Sequence, residues 1–252
     1  MDFKNKIIFI TGASSGIGEA CAKLFAAQGA RLILCARRDK RLQLLASKLP
    51  TKTFVMQLDV RDQKQVQQKI ESLPAEWSQI SILVNNAGLA RGLSKLHEGD
   101  LEDWQEMIDT NIKGLLYVSR AVVPGMIERN SGHIVNIGSI AGHEVYPAGN
   151  VYCATKHAVA ALTKGLRMDL TGTALRVSTV DPGMVETEFS LVRFHGDNQQ
   201  AKKVYQGMQP LTAEDIADAV FYCVSRPAHV QIADIILMPT AQRSATLVSR
   251  DI

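Results

Sequence analysis

Cysteine is scarce in this chain: 252 residues hold four, Cys21, Cys35, Cys153 and Cys223. They form no C-x-x-C pair and three sit in apolar stretches that read as core, which argues against a thiolate metal site and for a reduced, cytosolic setting. The histidines, His97, His133, His143, His157, His195 and His229, lack metal-like spacing to carboxylates or thiolates. Long apolar runs are missing as well. No stretch approaches the roughly 18 residues of a membrane span, and the apolar run at 7–10 is too short for a signal peptide. Charge of neither sign is in large excess, since 28 basic and 25 acidic residues leave a net charge of +3. No basic run carries interleaved aromatics, so neither nucleic acid nor an anionic membrane is an implied partner. Repeats, low-complexity tracts and linker-like segments are absent.

What the chain does have is apolar content in alternation with amphipathic stretches. Hydrophobic residues make up 46% of it, and this length suits one α/β domain over 1–252, with dinucleotide-binding and catalytic parts together. Short apolar runs at 7–10, 31–36, 53–58, 80–84, 133–137, 176–180 and 231–238 read as strands. The stretches between them predict helices over 15–28, 40–48, 101–128 with an interruption near Pro124, and 150–170. A last helix opens after Thr212, an N-cap followed by Glu214 and Asp215. The pattern predicts a Rossmann-type, doubly wound parallel sheet of about seven strands with helices on both faces. Residues 183–209 are polar and weakly periodic, and read as a substrate-covering lid.

The first strand runs into Thr11-Gly12-Ala13-Ser14-Ser15-Gly16-Ile17-Gly18. Glycines between a buried strand and a helix let the backbone approach a pyrophosphate held at the helix N-terminus, although any tight strand-to-helix turn would use the same residues. The second strand selects the dinucleotide. An acid at its end, about 20 residues on, accepts ribose hydroxyls in an NAD site, whereas arginine there suits a 2′-phosphate. Here the strand ends Leu34-Cys35-Ala36-Arg37-Arg38. NADP is therefore the expected cofactor, with Arg37 and Arg38 on its phosphate, helped by Ser14; the alternative is two solvated arginines with Asp39 serving a ribose. Asp59, ending the third strand, suits the adenine amino group, with Val60 beside the ring.

Tyr152 and Lys156 stand one helical turn apart, and Ser139 lies thirteen residues before the tyrosine. A lone phenol titrates near pH ~10 and is a poor acid-base partner at neutrality. A cation at roughly 4 Å in an effective dielectric near 20 favours the phenolate by about 4 kcal/mol, or ~3 pKa units at most, which would bring Tyr152 into working range. Alone, the pair reads far more readily as a packing tyrosine beside a solvated lysine. The glycine turn, Asn85-Asn86-Ala87-Gly88, Asn111 and Ser139 change that reading, because an open α/β sheet presents all of them at one edge. Together they point to hydride transfer.

Over essentially its whole length the chain resembles the short-chain dehydrogenase/reductase family, through Thr11 to Gly18, Asp59, Asn85 to Gly88, Asn111, Ser139, Tyr152, Lys156 and Pro182-Gly183-x-x-x-Thr187. The resemblance implies that Asn85, Asn86, Ala87 and Gly88 steady the sheet beside the adenosine half. It implies that Ser15, Gly16, Ile17, Gly18, Pro182, Gly183 and Val185 share the cofactor contact, and that Thr187 holds the nicotinamide carboxamide. Tyr152 would then exchange a proton with the substrate oxygen that Ser139 orients. Lys156 would lower the tyrosine pKa and hold ribose hydroxyls, and Asn111 would anchor a water leading from Lys156 to solvent. Without that company, Ser139 is an ordinary strand-end serine and Asn111 a helix asparagine bonded to backbone.

Segments 185–197, 210–217 and 238–240 are similar to a narrower group, the NADP-dependent 3-hydroxy acid dehydrogenases, which includes L-serine/L-allo-threonine dehydrogenases and malonic semialdehyde reductases. That resemblance implies a small 3-hydroxy acid or semialdehyde substrate and a homotetramer. The substrate carboxylate needs a counter-charge, and the planar fork of Arg193 suits it, the alternative being an arginine paired to a lid acid such as Glu188. Arg91, where an apolar residue is expected, is a second candidate. Two other readings stay open: a carbonyl or 3-oxoacyl reductase with a different substrate, and a non-enzymatic dinucleotide sensor.

Overall fold

The structure is a computed structural model that describes residues 2–251. Seven strands form one sheet: β1 (Ile7–Thr11), β2 (Arg31–Ala36), β3 (Thr53–Gln57), β4 (Ile80–Asn85), β5 (His133–Ile137), β6 (Arg176–Pro182) and β7 (Asp234–Leu237). Their order is β3-β2-β1-β4-β5-β6-β7, and every pairing is parallel. Successive side chains of a strand point to opposite faces. In β1, Ile8 and Ile10 join one core and Ile7 and Phe9 the other. A sheet covered on both sides needs apolar residues at every position, which is why its strands appear in the sequence as unbroken runs.

The first face is covered by α1 (Gly16–Ala27), α2 (Asp39–Ala46) and α10 (Ala213–Ser225), through Phe25, Leu42 and Val220. The second is covered by α3 (Gln63–Glu71), α4 (Ala75–Ser78), α6 (Leu115–Glu128) and α7 (Asn150–Asp169). The Thr212 cap is present as a capping box, with Asp215 answering the threonine. Residues 183–209, expected as an irregular cover, contain two short helices, α8 (Phe189–Arg193) and α9 (Asn198–Lys203).

Two features differ from the sequence pattern. The helix expected over 101–128 is divided, but at a π-helical segment, Asp109–Gly114, that separates α5 (Leu101–Ile108) from α6. Pro124 sits inside α6, which continues to Glu128. A proline removes one ladder hydrogen bond, and here Val122, Val123 and Met126 around it are buried, so packing holds the helix. Helix α3 is unannounced because only Val66 of its residues is buried.

The winding of the sheet reverses between β1 and β4, and ligands of such sheets bind at that point, outside the carboxyl ends of the strands. A chain of buried amides and hydroxyls fixes the strands just beneath it. Asn85 Nδ2 donates to Ser119 Oγ at 3.0 Å and to Asn136 Oδ1 at 2.9 Å, and Asn136 Nδ2 donates to Thr163 Oγ1 at 2.9 Å. Thus β4, β5, α6 and α7 are joined by one network.

Candidate active site

The strand ends and their loops enclose a cleft of about 460 Å³. On its wall lie the glycine turn with Ser14, Ser15 and Ile17, then Arg37 and Arg38, Asp59 and Val60, and Asn86 to Gly88. Ser139, Tyr152, Lys156, Pro182, Gly183, Val185, Thr187 and Arg193 also line it. Gly18, Asn111 and Arg91 are not on that wall.

Two glycines of the turn are dictated by crowding. Gly12 has φ +67°, and a Cβ there would stand 2.8 Å from Asn86 Nδ2. A Cβ on Gly18 would stand 2.5 Å from the Gly12 carbonyl oxygen and 2.6 Å from Asn86 Nδ2. Asn86 is what they close upon: its Nδ2 donates to the carbonyls of Thr11 at 2.9 Å and Gly12 at 3.2 Å. Thr11 Oγ1 accepts from Asn86 N and Ala87 N, both at 3.0 Å, so the β1 and β4 ends are stitched together.

At the other end of the cleft, α7 presents Tyr152 and Lys156, both buried. Lys156 Nζ donates to the Ile137 carbonyl at 3.0 Å and lies 5.9 Å from the Tyr152 ring centroid. Burial pushes the ammonium down to about 8, against the opposing charge of Asp181. Ser139 Oγ accepts from Ala141 N at 3.1 Å and donates to the Pro182 carbonyl at 3.4 Å, which fixes the hydroxyl between β5 and β6. Asn111 is turned inward by the π-helical segment. Its Oδ1 accepts from Leu89 N at 2.9 Å, and its Nδ2 donates to the Leu89 carbonyl at 2.8 Å and to Thr155 Oγ1 at 3.1 Å. A Cβ on Gly88 would stand 3.3 Å from Asn111 Oδ1 and 3.7 Å from Lys156 Nζ, so glycine keeps the space between the two open.

The phenol of Tyr152 differs from the sequence-based expectation of a lowered pKa. Burial dominates and pushes it above its ordinary range, with Tyr146 adding to the effect; the opposing influences are the Arg193 charge and the Ser139 hydroxyl. The cation acting on this phenol from the protein side is Arg193, whose Cζ lies 5.0 Å from the Tyr152 ring centroid.

Arg38 is the best-anchored cation at the adenosine end. Its Nε donates to Ser14 Oγ at 3.1 Å, its Nη2 to Ser15 Oγ at 2.6 Å and its Nη1 to Glu188 at 2.8 Å. Arg37 reaches Glu106 at 3.5 Å, and the Asp59 carboxylate is gripped by Arg61 Nη2 at 2.6 Å. Asp59 thus lines the cleft already paired. Glu188 is bonded to Arg38 and Arg41, not to Arg193.

Arg193 Nη2 donates to the Tyr146 hydroxyl at 2.7 Å, while its buried Nε has no partner among the described residues. Arg91, the other candidate for a substrate carboxylate, faces elsewhere. Its Nε donates to Glu106 at 2.6 Å and its Nη1 to the Val192 carbonyl at 2.7 Å, and Gly92 N donates to the Arg193 carbonyl at 2.8 Å. Arg91 therefore holds the C-terminal end of α8, where a cation meets the helix dipole favourably.

The sequence model of the short chain dehydrogenases matches residues 6–197. The chain belongs to that family. It is 50% identical over 242 residues to the NADP-dependent 3-hydroxy acid dehydrogenase YdfG of Escherichia coli (strain K12), covering 96% of this chain and 98% of that one. It is 49% identical to sulfoacetaldehyde reductase 2 of Chromohalobacter salexigens, over 97% and 99% of the two chains. Among solved structures, the closed form of a serine dehydrogenase complexed with NADP+ matches with a TM-score of 0.93 and 49% identity, covering 98% of this chain and 100% of that one.

In this short-chain dehydrogenase the sequence pattern leaves several site residues unmarked. Tyr146 sits in a loop with no periodicity, Arg41 looks like any helix-surface arginine, and Phe189, edge-on to Tyr152 at 5.6 Å, belongs to the weakly periodic segment. Asp181, buried and bonded to His143 Nε2 at 2.8 Å, reads in the sequence as the last polar residue of a strand.

Proposed function

We infer that the chain is an NADP-dependent oxidoreductase exchanging hydride between the nicotinamide and the C3 hydroxyl or carbonyl of a small 3-hydroxy acid such as L-serine, L-allo-threonine or malonic semialdehyde. One observation carries this reading: Arg193 lies against Tyr152 with a buried donor to spare. A guanidinium with an unmade hydrogen bond beside the acid-base residue favours substrates that bring an anionic group with them, because a buried donor left unpaired is costly.

The cleft suits the dinucleotide, since its glycine turn leaves no room for side chains between β1 and Asn86, and Arg38 stands ready at the second strand end. When bound, NADP takes up or gives the hydride. The chain does the rest. Tyr152 takes the hydroxyl proton in oxidation and returns it in reduction, and its raised pKa favours the proton-donating role at neutrality. Ser139 orients the reacting oxygen. Lys156 holds ribose hydroxyls, and the gap at Gly88 leaves Asn111 and Lys156 access to a shared water. Thr187 holds the nicotinamide carboxamide, and residues 183–209 cover the substrate.

The same donor on Arg193 favours a second reading, an aldehyde bearing a sulfonate, whose oxygens accept the same hydrogen bonds; the likeness to a sulfoacetaldehyde reductase supports it. Assembly as a homotetramer belongs to the proposal, supported by Leu116 on α6 and Met168 on α7, both exposed and apolar. So does a cytoplasmic location; among the described residues no helix is long and apolar enough to cross a membrane. A panel of serine, allo-threonine, 3-hydroxypropionate, malonic semialdehyde and sulfoacetaldehyde, followed by nicotinamide absorbance with NADP and NAD in parallel, tests the reading. Turnover of anionic substrates with NADP is expected. Strong preference for NAD, or equal turnover of neutral alcohols, would contradict it.

A further inference from the structure

Arg38 and Arg41 share one carboxylate. Arg41 Nη1 donates to Glu188 Oε1 at 2.6 Å and Oε2 at 2.9 Å, and Arg38 Nη1 donates to Oε2 at 2.8 Å. The other partners of the Arg38 guanidinium are the neutral hydroxyls of Ser14 and Ser15. Among the described residues, Glu188 is the one carboxylate hydrogen-bonded to either arginine. Glu188 immediately precedes α8, which carries Arg193 to the substrate end.

We propose that Glu188 is an internal anion that competes with the cofactor 2′-phosphate for Arg38 and Arg41, and so sets how strongly the enzyme discriminates NADP from NAD. This rests on the reading that Arg38 meets that phosphate. A phosphate monoester carries about 1.5 to 2 negative charges at neutral pH, and its oxygens seek the same N–H edges that the carboxylate now fills. Two anions cannot share those edges without repulsion, so the phosphate displaces the carboxylate or binds against its charge. A cofactor with a free 2′-hydroxyl brings no such charge and leaves the Glu188 pairing intact. Glu188 therefore weakens NADP binding selectively. It also holds the two arginines together in the free protein, where an anion of the right geometry can meet both. Burial works to raise the Glu188 pKa, but its bonds to Arg38 and Arg41 and their charges prevail and hold it below the ordinary range, so it competes as a full anion at neutrality.

The test is direct binding, read from nicotinamide fluorescence on titrating the whole enzyme with NADPH and with NADH, without substrate. Glu188→Gln should tighten NADPH by about fivefold or more and leave NADH within about twofold, the selective gain expected when one repulsive charge is removed. Glu188→Asp, whose shorter side chain does not span both arginines, should tighten NADPH to a lesser degree and guards against a glutamine variant that fails to fold. Read by displacement of the fluorescent cofactor, 2′,5′-ADP should follow NADPH, and 5′-AMP should follow NADH. Unchanged or weaker NADPH binding in both variants overturns the proposal, as does an equal gain for both cofactors. Arg38→Met separates the two levels: loss of NADPH preference there keeps the phosphate assignment even if Glu188 proves silent, whereas retained preference removes the assignment itself.

Discussion

The guanidinium of Arg193 packs 5.0 Å from the ring centroid of Tyr152 and 5.3 Å from that of Phe189, with its Nε buried and unpartnered. A cation so placed does two things at once. It opposes the rise in the phenol pKa that burial causes, and it offers an open hydrogen bond one side chain away from the reacting oxygen. If that donor is for a substrate anion, Arg193→Met should raise KM for serine or malonic semialdehyde by about 10-fold to 100-fold, corresponding to the roughly 1.5 to 3 kcal/mol of a charge-assisted hydrogen bond. KM for a neutral alcohol or ketone should change little. Equal losses on charged and neutral substrates would remove the clamp and leave Arg193 as a packing residue.

The pH dependence follows from Lys156. Burial lowers its pKa to about 8, while the phenol of Tyr152 is raised and stays protonated through that range. On the proposed mechanism, reduction needs the ammonium and the phenol together. Its kcat/KM should therefore fall as pH rises through about 8, reporting deprotonation of Lys156 in the free enzyme. Asp181, hydrogen-bonded by Thr179 Oγ1 at 2.7 Å and facing His143 at 2.8 Å, is the charge that opposes the lowering. Asp181→Asn removes it, so the falling limb should move to lower pH. A limb that stays in place in this variant would detach it from Lys156.

The network under the cleft should be worth measurable stability. Asn136 bridges Asn85 and Thr163 in full burial, and Asn136→Ala leaves both partners short of a hydrogen bond and opens a small cavity. A loss of about 2 kcal/mol is expected, of the size usual for a broken buried polar contact. Urea unfolding checks it. A change below the measurement error would mean that water or repacking replaces the amide.

Much of the fold and of the site is legible in the amino-acid sequence itself. The strands announce themselves because a sheet covered on both faces must be apolar throughout, as Ile7 to Ile10 show. Glycines at 12 and 18 and the Tyr152–Lys156 spacing carry the site, since close backbone approach and one-turn helical spacing are local properties of the chain. What stays hidden depends on contacts far apart in sequence. The π-helical turn that aims Asn111 inward leaves no composition mark, and Pro124 points to the wrong place for the helix break. Arg91, the second candidate after Arg193 for the substrate carboxylate, holds the carbonyl of Val192, 101 residues away. Glu188, which the sequence offers only as an alternative partner for Arg193, bridges to Arg38, 150 residues away. The balance of charge and burial at Tyr152 is equally nonlocal, because burial of the phenol is set by the surrounding packing and not by the lysine one turn along.

On the proposed mechanism, Tyr152 moves the proton that accompanies hydride transfer. Tyr152→Phe keeps the ring that packs against Phe189 and Arg193 and removes only the hydroxyl. The decisive measurement is the single-turnover rate of NADPH oxidation by this variant on malonic semialdehyde, with unfolding and NADPH binding measured on the same sample. With fold and binding intact, the rate should drop by about 100-fold or more, the contribution of a positioned general acid. A variant that binds NADPH and reacts at the rate of the parent enzyme would contradict the account.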